Sequence, residues 1–171
     1  MKLFFSLVLS FILTSASSEE ILAKSWLIAD HNGNIIESKN IDIVQPIASI
    51  TKLMTVMVVL DSNENLDDII NTKKLRGLHM SRKQLIDLAI VKSDNQAADL
   101  LCKTYRYGYA SCINEMNHKA RVLGMSQTAY YDSTGLDNRN VSTPTDLVKL
   151  LQAAEKYSPI VLSLIHISEP T

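Results

Sequence analysis

Ser49-Ile50-Thr51-Lys52-Leu53-Met54-Thr55-Val56-Met57-Val58-Val59-Leu60 decides the fold of this chain. Past Thr55 no polar residue interrupts it, so the segment has almost no solvent face and must be buried. Its Val pairs would also suit a strand, and periodicity alone does not separate the two. A length of about a dozen residues favours a helix.

Upstream, Ser25-Trp26-Leu27-Ile28-Ala29-Asp30 and Ile35-Ile36-Glu37-Ser38 flank His31-Asn32-Gly33-Asn34. Asn-Gly between apolar runs predicts an antiparallel hairpin. Downstream, Ser81-Arg82-Lys83-Gln84 has the form of a capping box, and Leu85, Leu88 and Ala89 follow at helical spacing up to Lys92. A second helix is predicted from about Asn95 to Thr104, and a third from Ser111 to Leu123 with Gly124 as its stop. Pro144 at the first helical position, Asp146 at the third and the stripe Leu147, Leu150, Leu151 and Ala154 predict a C-terminal helix. No repeat, low-complexity tract or Pro/Gly-rich linker argues for a second domain.

The 171 residues carry 17 basic and 18 acidic side chains, a formal charge of −1, and 46% are hydrophobic. A nucleic-acid binder would show a basic excess to match phosphate, and a disordered chain would be poorer in Leu, Ile and Val; neither class fits. Met1-Lys2, the apolar run Leu3 to Leu13 and the small residues Thr14 to Ser18 read as a secretory signal peptide over residues 1–18. The apolar run falls well short of the about 20 residues that a membrane-spanning helix needs, so membrane contact would come only through an uncleaved signal. The expected location is exported, in the periplasm. Export permits disulfides, and Cys102 and Cys112 are the one possible pair. A helix-to-helix bridge and two buried thiols both stay open, since spacing does not reveal whether the Cα atoms come within about 7 Å.

Ser49 and Lys52 lie three apart. On a helix that spacing shares a face, with Cβ atoms about 5–6 Å apart, so the amine reaches the hydroxyl. Serine is a weak nucleophile until something accepts its proton, and a neutral lysine is such a base. Two local features lower the pKa of Lys52: the apolar helix withdraws it from water, and the positive end of the helix dipole lies close by. The same helix start offers backbone N–H groups to a developing oxyanion. Ser-x-x-Lys alone is weak evidence, because a chain of this composition contains about one by chance. Ser93-Asp94-Asn95 raises its weight by placing a hydroxyl and an amide in the break between two helices. The other Ser-x-Asn, Ser38-Lys39-Asn40, ends a strand and reads as an ordinary turn.

Three segments together resemble the serine penicillin-recognising enzymes: Ala48-Ser49-Ile50-Thr51-Lys52-Leu53-Met54-Thr55, Ser93-Asp94-Asn95-Gln96-Ala97-Ala98, and Ser133-Thr134-Gly135-Leu136 followed by Ser142-Thr143-Pro144-Thr145-Asp146-Leu147. Their order and spacing, from Ser25 to about Val161, are most similar to low-molecular-mass D-alanyl-D-alanine peptidases of the endopeptidase type. The resemblance implies an α+β fold of the β-lactamase/D,D-peptidase kind, an antiparallel sheet with a helical cluster. It makes Ser49 the acylated nucleophile, Lys52 its general base and Ser93 a proton donor toward the leaving amine. Asn95 would bind the substrate peptide and hold Lys52 in place, the Ser49 N–H would be one oxyanion donor, and Asp94 would face solvent. The implied partners are a peptidoglycan peptide substrate and β-lactam inhibitors. No metal, organic cofactor or nucleic acid is implied. The implied reaction is hydrolysis of D-alanyl amide bonds in cross-links, favoured over removal of a terminal D-alanine.

The family's third motif, Lys-Thr-Gly, does not follow Thr145. With it would go the second oxyanion donor and the C-terminal sheet strands, leaving only the N-terminal hairpin of the sheet. From about Leu162 the tail to Thr171 no longer matches the family and reads as foreign. The expectation is a truncated fragment, with a partial catalytic domain over 19–161 and a non-family tail over 162–171. An inactive wall-binding fragment is one alternative. A serine β-lactamase is another, although the class A Glu-x-x-Leu-Asn segment is absent. Ser133-Thr134-Gly135-Leu136 reads first as a turn needing glycine at positive φ, and second as a wall of the cleft. His31, His79, His118 and His166 lack metal-binding spacing and read as surface or satisfied histidines. Trp26 and the tyrosines at 105, 107, 109, 130 and 131 read as packing rather than carbohydrate contacts, and Met54 and Met57 as core filling.

Overall fold

A computed structural model describes residues 23–71 and 79–157. The expected signal peptide, the tail from Leu162 and His166 lie outside the described residues. The predicted hairpin is β1 (Trp26–Ala29) paired antiparallel with β2 (Ile35–Lys39), its register shifted by a bulge at Ile28/Ala29. Its turn is wider than a two-residue Asn-Gly turn. Asp30 organises it, accepting the N–H groups of Asn32 at 2.9 Å and Asn34 at 2.8 Å on one carboxylate oxygen, while Gly33 supplies the positive φ. Two more antiparallel pairs accompany the hairpin, so it is not the only paired segment. β3 (Gln45–Pro46) pairs with β6 (Val141–Ser142), and β4 (Ile69–Asn71) pairs with β5 (His79–Ser81). The first of these joins the approach to Ser49 to the approach to the last helix.

The opening stretch is a helix. A 3-10 turn at Ala48–Ile50 leads into α1 (Thr51–Asp61), and Met54, Val56, Met57, Val58 and Val59 are all fully buried. Removing each such side chain from water contributes about 1.5–3 kcal/mol, so α1 is the axis of the core. Four helices pack on it: α2 (Arg82–Val91), α3 (Asn95–Lys103), α4 (Gly108–Val122) and α5 (Pro144–Ala154). Local chemistry sets their ends. Ser81 and Gln84 form the predicted capping box at α2, with the Gln84 N–H donating to Ser81 Oγ at 3.2 Å and the Ser81 N–H to Gln84 Oε1 at 2.8 Å. Thr143 caps α5 through the Asp146 N–H, and Gly124 at φ +72° closes the C-terminus of α4. α4 starts three residues ahead of the expected Ser111, at Gly108. This shortens the joint from α3 and brings Cys102 and Cys112 to a Cα separation of 5.4 Å, where they form a disulfide.

Candidate active site

Lys52 lies in the first turn of α1 and is only 2% exposed, beneath the exposed residues Ser49 and Ser93. Its ammonium has three N–H donors and three acceptors. Nζ donates to Ser49 Oγ at 2.9 Å, to Ser93 Oγ at 3.2 Å and to the Thr134 carbonyl oxygen at 3.0 Å. The acceptors differ in kind. A carbonyl only accepts, whereas a hydroxyl can turn and donate. When the amine loses its proton, the lone pair must therefore face one of the two serine hydroxyls. That is the arrangement needed to draw a proton from a nucleophile.

Burial holds the Lys52 amine below the ordinary lysine value, while the negative charges of Asp132 and Asp94 oppose this and favour the charged form. A depressed lysine has a larger neutral fraction near pH 7. Ser93 reaches the amine from a left-handed backbone, φ +50°, a conformation that costs a non-glycine residue about 1–2 kcal/mol. Ala48, just ahead of Ser49, is also left-handed, at φ +44°. Ser93 carries one of the two hydroxyls that meet at Lys52, and Ala48 precedes the residue that carries the other.

Two expectations are corrected. Asp94 is half-buried and caps α3, accepting the Ala97 N–H at 2.8 Å, because the helix N-terminus needs an acceptor and the shorter Ser93 is turned toward Lys52. Asn95 does not hold Lys52. It is the first residue of α3, and among the described residues its side chain has no hydrogen-bond partner; the third contact of the amine comes from Thr134. Ser133-Thr134-Gly135-Leu136 is both the glycine turn and a wall of the site. Gly135 has φ +86°, and Thr134 supplies the carbonyl.

That wall is held in place by Asp132, Asn140 and Tyr109, which lie outside the motif segments. The buried Asn140 amide donates to Thr51 Oγ1 at 3.1 Å and to Asp132 Oδ1 at 2.7 Å, and its oxygen accepts the Tyr131 N–H at 2.7 Å. The Ile47 N–H donates to the Asn140 carbonyl at 3.1 Å, so one asparagine ties the approach to Ser49 to the 131–135 turn. Thr55 of α1 donates to the Ser133 carbonyl at 2.9 Å, and Tyr109 of α4 accepts the Ser133 N–H at 3.2 Å. The Asp132-x-x-Gly135 pattern is a usable signal for the turn; the carbonyl contact has none. An open cleft of about 410 Å³ adjoins the hydroxyls, its lining combining Ser49, Lys52 and Ser93 with the apolar Leu53, Ile90 and Leu150. Among the described residues no group of three His, Cys, Asp or Glu could hold a metal ion.

The chain matches the family model described as D-alanyl-D-alanine carboxypeptidase over residues 12–76 and 68–171. It is 44% identical to the D-alanyl-D-alanine endopeptidase of Escherichia coli over 158 residues, which are 84% of this chain and 51% of that protein. Identity to the D-alanyl-D-alanine endopeptidase of Pseudomonas aeruginosa is 42%, covering 81% of this chain and 49% of that one. The chain spans about half the length of the curated relatives it matches. Among solved structures it resembles a Listeria monocytogenes penicillin-binding protein in a cefotaxime-bound form, with TM-score 0.75, 28% identity, and coverage of 83% of this chain and 65% of that one. A mutant of a Streptomyces DD-transpeptidase gives TM-score 0.79 at 27% identity, covering 86% of this chain and 66% of that one. These neighbours bear out the α+β penicillin-binding fold expected from the motifs.

Proposed function

This chain belongs to the D-alanyl-D-alanine carboxypeptidase family of serine peptidases, and from that membership we propose that it carries the acylating half-site of an exported D,D-peptidase that opens D-alanyl amide bonds in peptidoglycan cross-links. The observation that carries this reading is the buried Lys52 amine hydrogen-bonded to both Ser49 Oγ and Ser93 Oγ. Neutral Lys52 takes the Ser49 hydroxyl proton as Oγ attacks the amide carbon. The oxyanion that develops is met by the Ser49 N–H at the start of the 3-10 turn. The C–N bond then breaks, the departing amine receives the proton from Lys52 by way of Ser93, and water releases the acyl group from Ser49. Asn95, with no partner among the described residues, is available to the substrate peptide. The endopeptidase names of the Escherichia coli and Pseudomonas aeruginosa relatives support cross-link cleavage over terminal trimming. The sequence features of residues 1–18 support export to the periplasm.

The same acylation makes a β-lactam ring a substrate mimic, in keeping with the cefotaxime-bound neighbour. The test is mass spectrometry after exposure to benzylpenicillin. A long-lived penicilloyl adduct is expected on the peptide containing Ser49, and none in Ser49→Ala. An unlabelled Ser49 overturns the reading, and rapid release of penicilloate turns it toward a β-lactamase. Digestion of cross-linked muropeptides then separates endopeptidase products from free D-alanine.

A further inference from the structure

We propose that Asp132 is a positioning residue for the reaction at Ser49, acting by holding the Thr134 carbonyl against the Lys52 amine. The inference takes acylation at Ser49, proposed above, as its premise and adds a residue outside both motifs. Asp132 has no hydrogen bond to the Ser49 or the Ser93 hydroxyl. Its carboxylate accepts five donors: Oδ1 takes the Gly135 N–H at 2.8 Å, the Thr134 N–H at 3.3 Å and the Asn140 amide at 2.7 Å, while Oδ2 takes the Thr134 hydroxyl at 2.6 Å and the Asp137 N–H at 3.4 Å.

The decisive contact is the one to Gly135. The Gly135 N–H and the Thr134 carbonyl belong to one planar trans peptide unit, in which they point in opposite directions. Fixing the N–H on Asp132 therefore fixes the direction of the carbonyl that meets Lys52 at 3.0 Å. A carboxylate, a peptide dipole and an ammonium stand in line, and each hydrogen bond in such a chain polarises the next. Among the described residues no cation forms an ion pair with Asp132; the nearby Arg139 is engaged by Asp137 at 2.6 Å. The negative charge of Asp132 favours the ammonium form of Lys52, and the Thr134–Gly135 peptide stands between the two. Asp94 at the cap of α3 is the other carboxylate that acts on the amine, and burial opposes both.

The test uses the full chain and a readout that does not need turnover. Carbon-13 NMR follows the Lys52 side chain through its titration, with Lys52→Met identifying the resonance. Asp132→Asn keeps the volume and an acceptor for the Gly135 N–H but removes the charge. In this variant Lys52 is expected to titrate lower by about half a pH unit or more, and the acid limb of penicillin acylation to move with it. Thr134→Val cuts the hydroxyl tether and leaves the charge; acylation is expected to slow by about tenfold or more across the pH range. Unchanged Lys52 titration in D132N, or unchanged acylation in T134V, overturns the proposal. If D132N does not fold, the T134V acylation rates decide. A wild-type Ser49 that resists penicillin while Lys52 still shifts in D132N sinks the acylation reading and leaves the Asp132 contact standing.

Discussion

A Cβ built on Gly135 would sit 1.8 Å from the carbonyl oxygen of Ala48, the residue immediately before Ser49. Two left-handed backbones meet there, Gly135 at φ +86° and Ala48 at φ +44°, and their approach sets how far the turn carrying Thr134 stands from α1. Gly135→Ala is therefore predicted to do more than strain one torsion. Gly124 is the internal control: φ is +72° there too, but a Cβ at Gly124 would meet nothing within 4 Å, so Gly124→Ala carries only the torsional penalty of about 1–2 kcal/mol. Gly135→Ala should lose about 3 kcal/mol or more in urea unfolding and should abolish penicillin labelling. Equal losses at the two sites would show that the Ala48 contact imposes no constraint.

Asp94 combines two roles that substitutions can separate. Its carboxylate caps α3 at 2.8 Å and its charge favours the protonated form of Lys52. Asp94→Ala removes both and should destabilise the protein by about 1 kcal/mol in chemical denaturation. Asp94→Asn keeps a capping oxygen, so stability should stay within a few tenths of a kcal/mol while the acid limb of acylation moves to lower pH. A D94N profile that overlays the wild type would remove Asp94 from the electrostatics of the base.

These two cases mark where the sequence is legible. The α1 run has no solvent face, Ser81-x-x-Gln84 and Thr143-Pro144 name their own helix starts, and Ser49-x-x-Lys52 puts two functional groups on one face by helical geometry alone. The third contact of Lys52 is not legible, because the Thr134 acceptor is a main-chain carbonyl and every residue has one. Asn140 is hidden for a similar reason: it acts across eight residues of irregular chain, where no periodicity links it to Asp132. The Ser-Asp-Asn turn stands out in the sequence, but the roles of its Asp and Asn do not. Competition for the α3 N-terminus decides which side chain turns inward, and Asp94 takes the cap.

The Cys102–Cys112 disulfide joins the end of α3 to the start of α4, and both cysteines are fully buried. It closes a loop of about ten residues, for which the loss of unfolded-state entropy corresponds to about 2–3 kcal/mol. The double variant Cys102→Ala/Cys112→Ala should lower the urea midpoint accordingly. Buried sulfurs also exclude reductant, so a thiol reagent should leave the wild type unchanged until denaturant opens it. Ready reduction of the native protein would contradict the packing of α3 on α4.

Lys52 gives stability and activity linked pH dependences. Folded, its pKa lies below 10.5; unfolded, it returns to about that value. Between the two, the unfolded chain binds more protons, so this group makes stability rise with pH, and below the folded value its penalty is constant. Lys52→Met removes the titration. The stability of Lys52→Met relative to wild type should therefore fall as pH rises toward about 10.5, measured by urea unfolding at fixed ionic strength. Penicillin acylation of the wild type should climb with pH through an inflection below the ordinary lysine value, since only the neutral amine accepts the Ser49 proton. One group governs both curves, so the inflection in acylation must coincide with the lower edge of the stability window. Separate midpoints, or a stability difference flat with pH, would mean that Lys52 is not the titrating base.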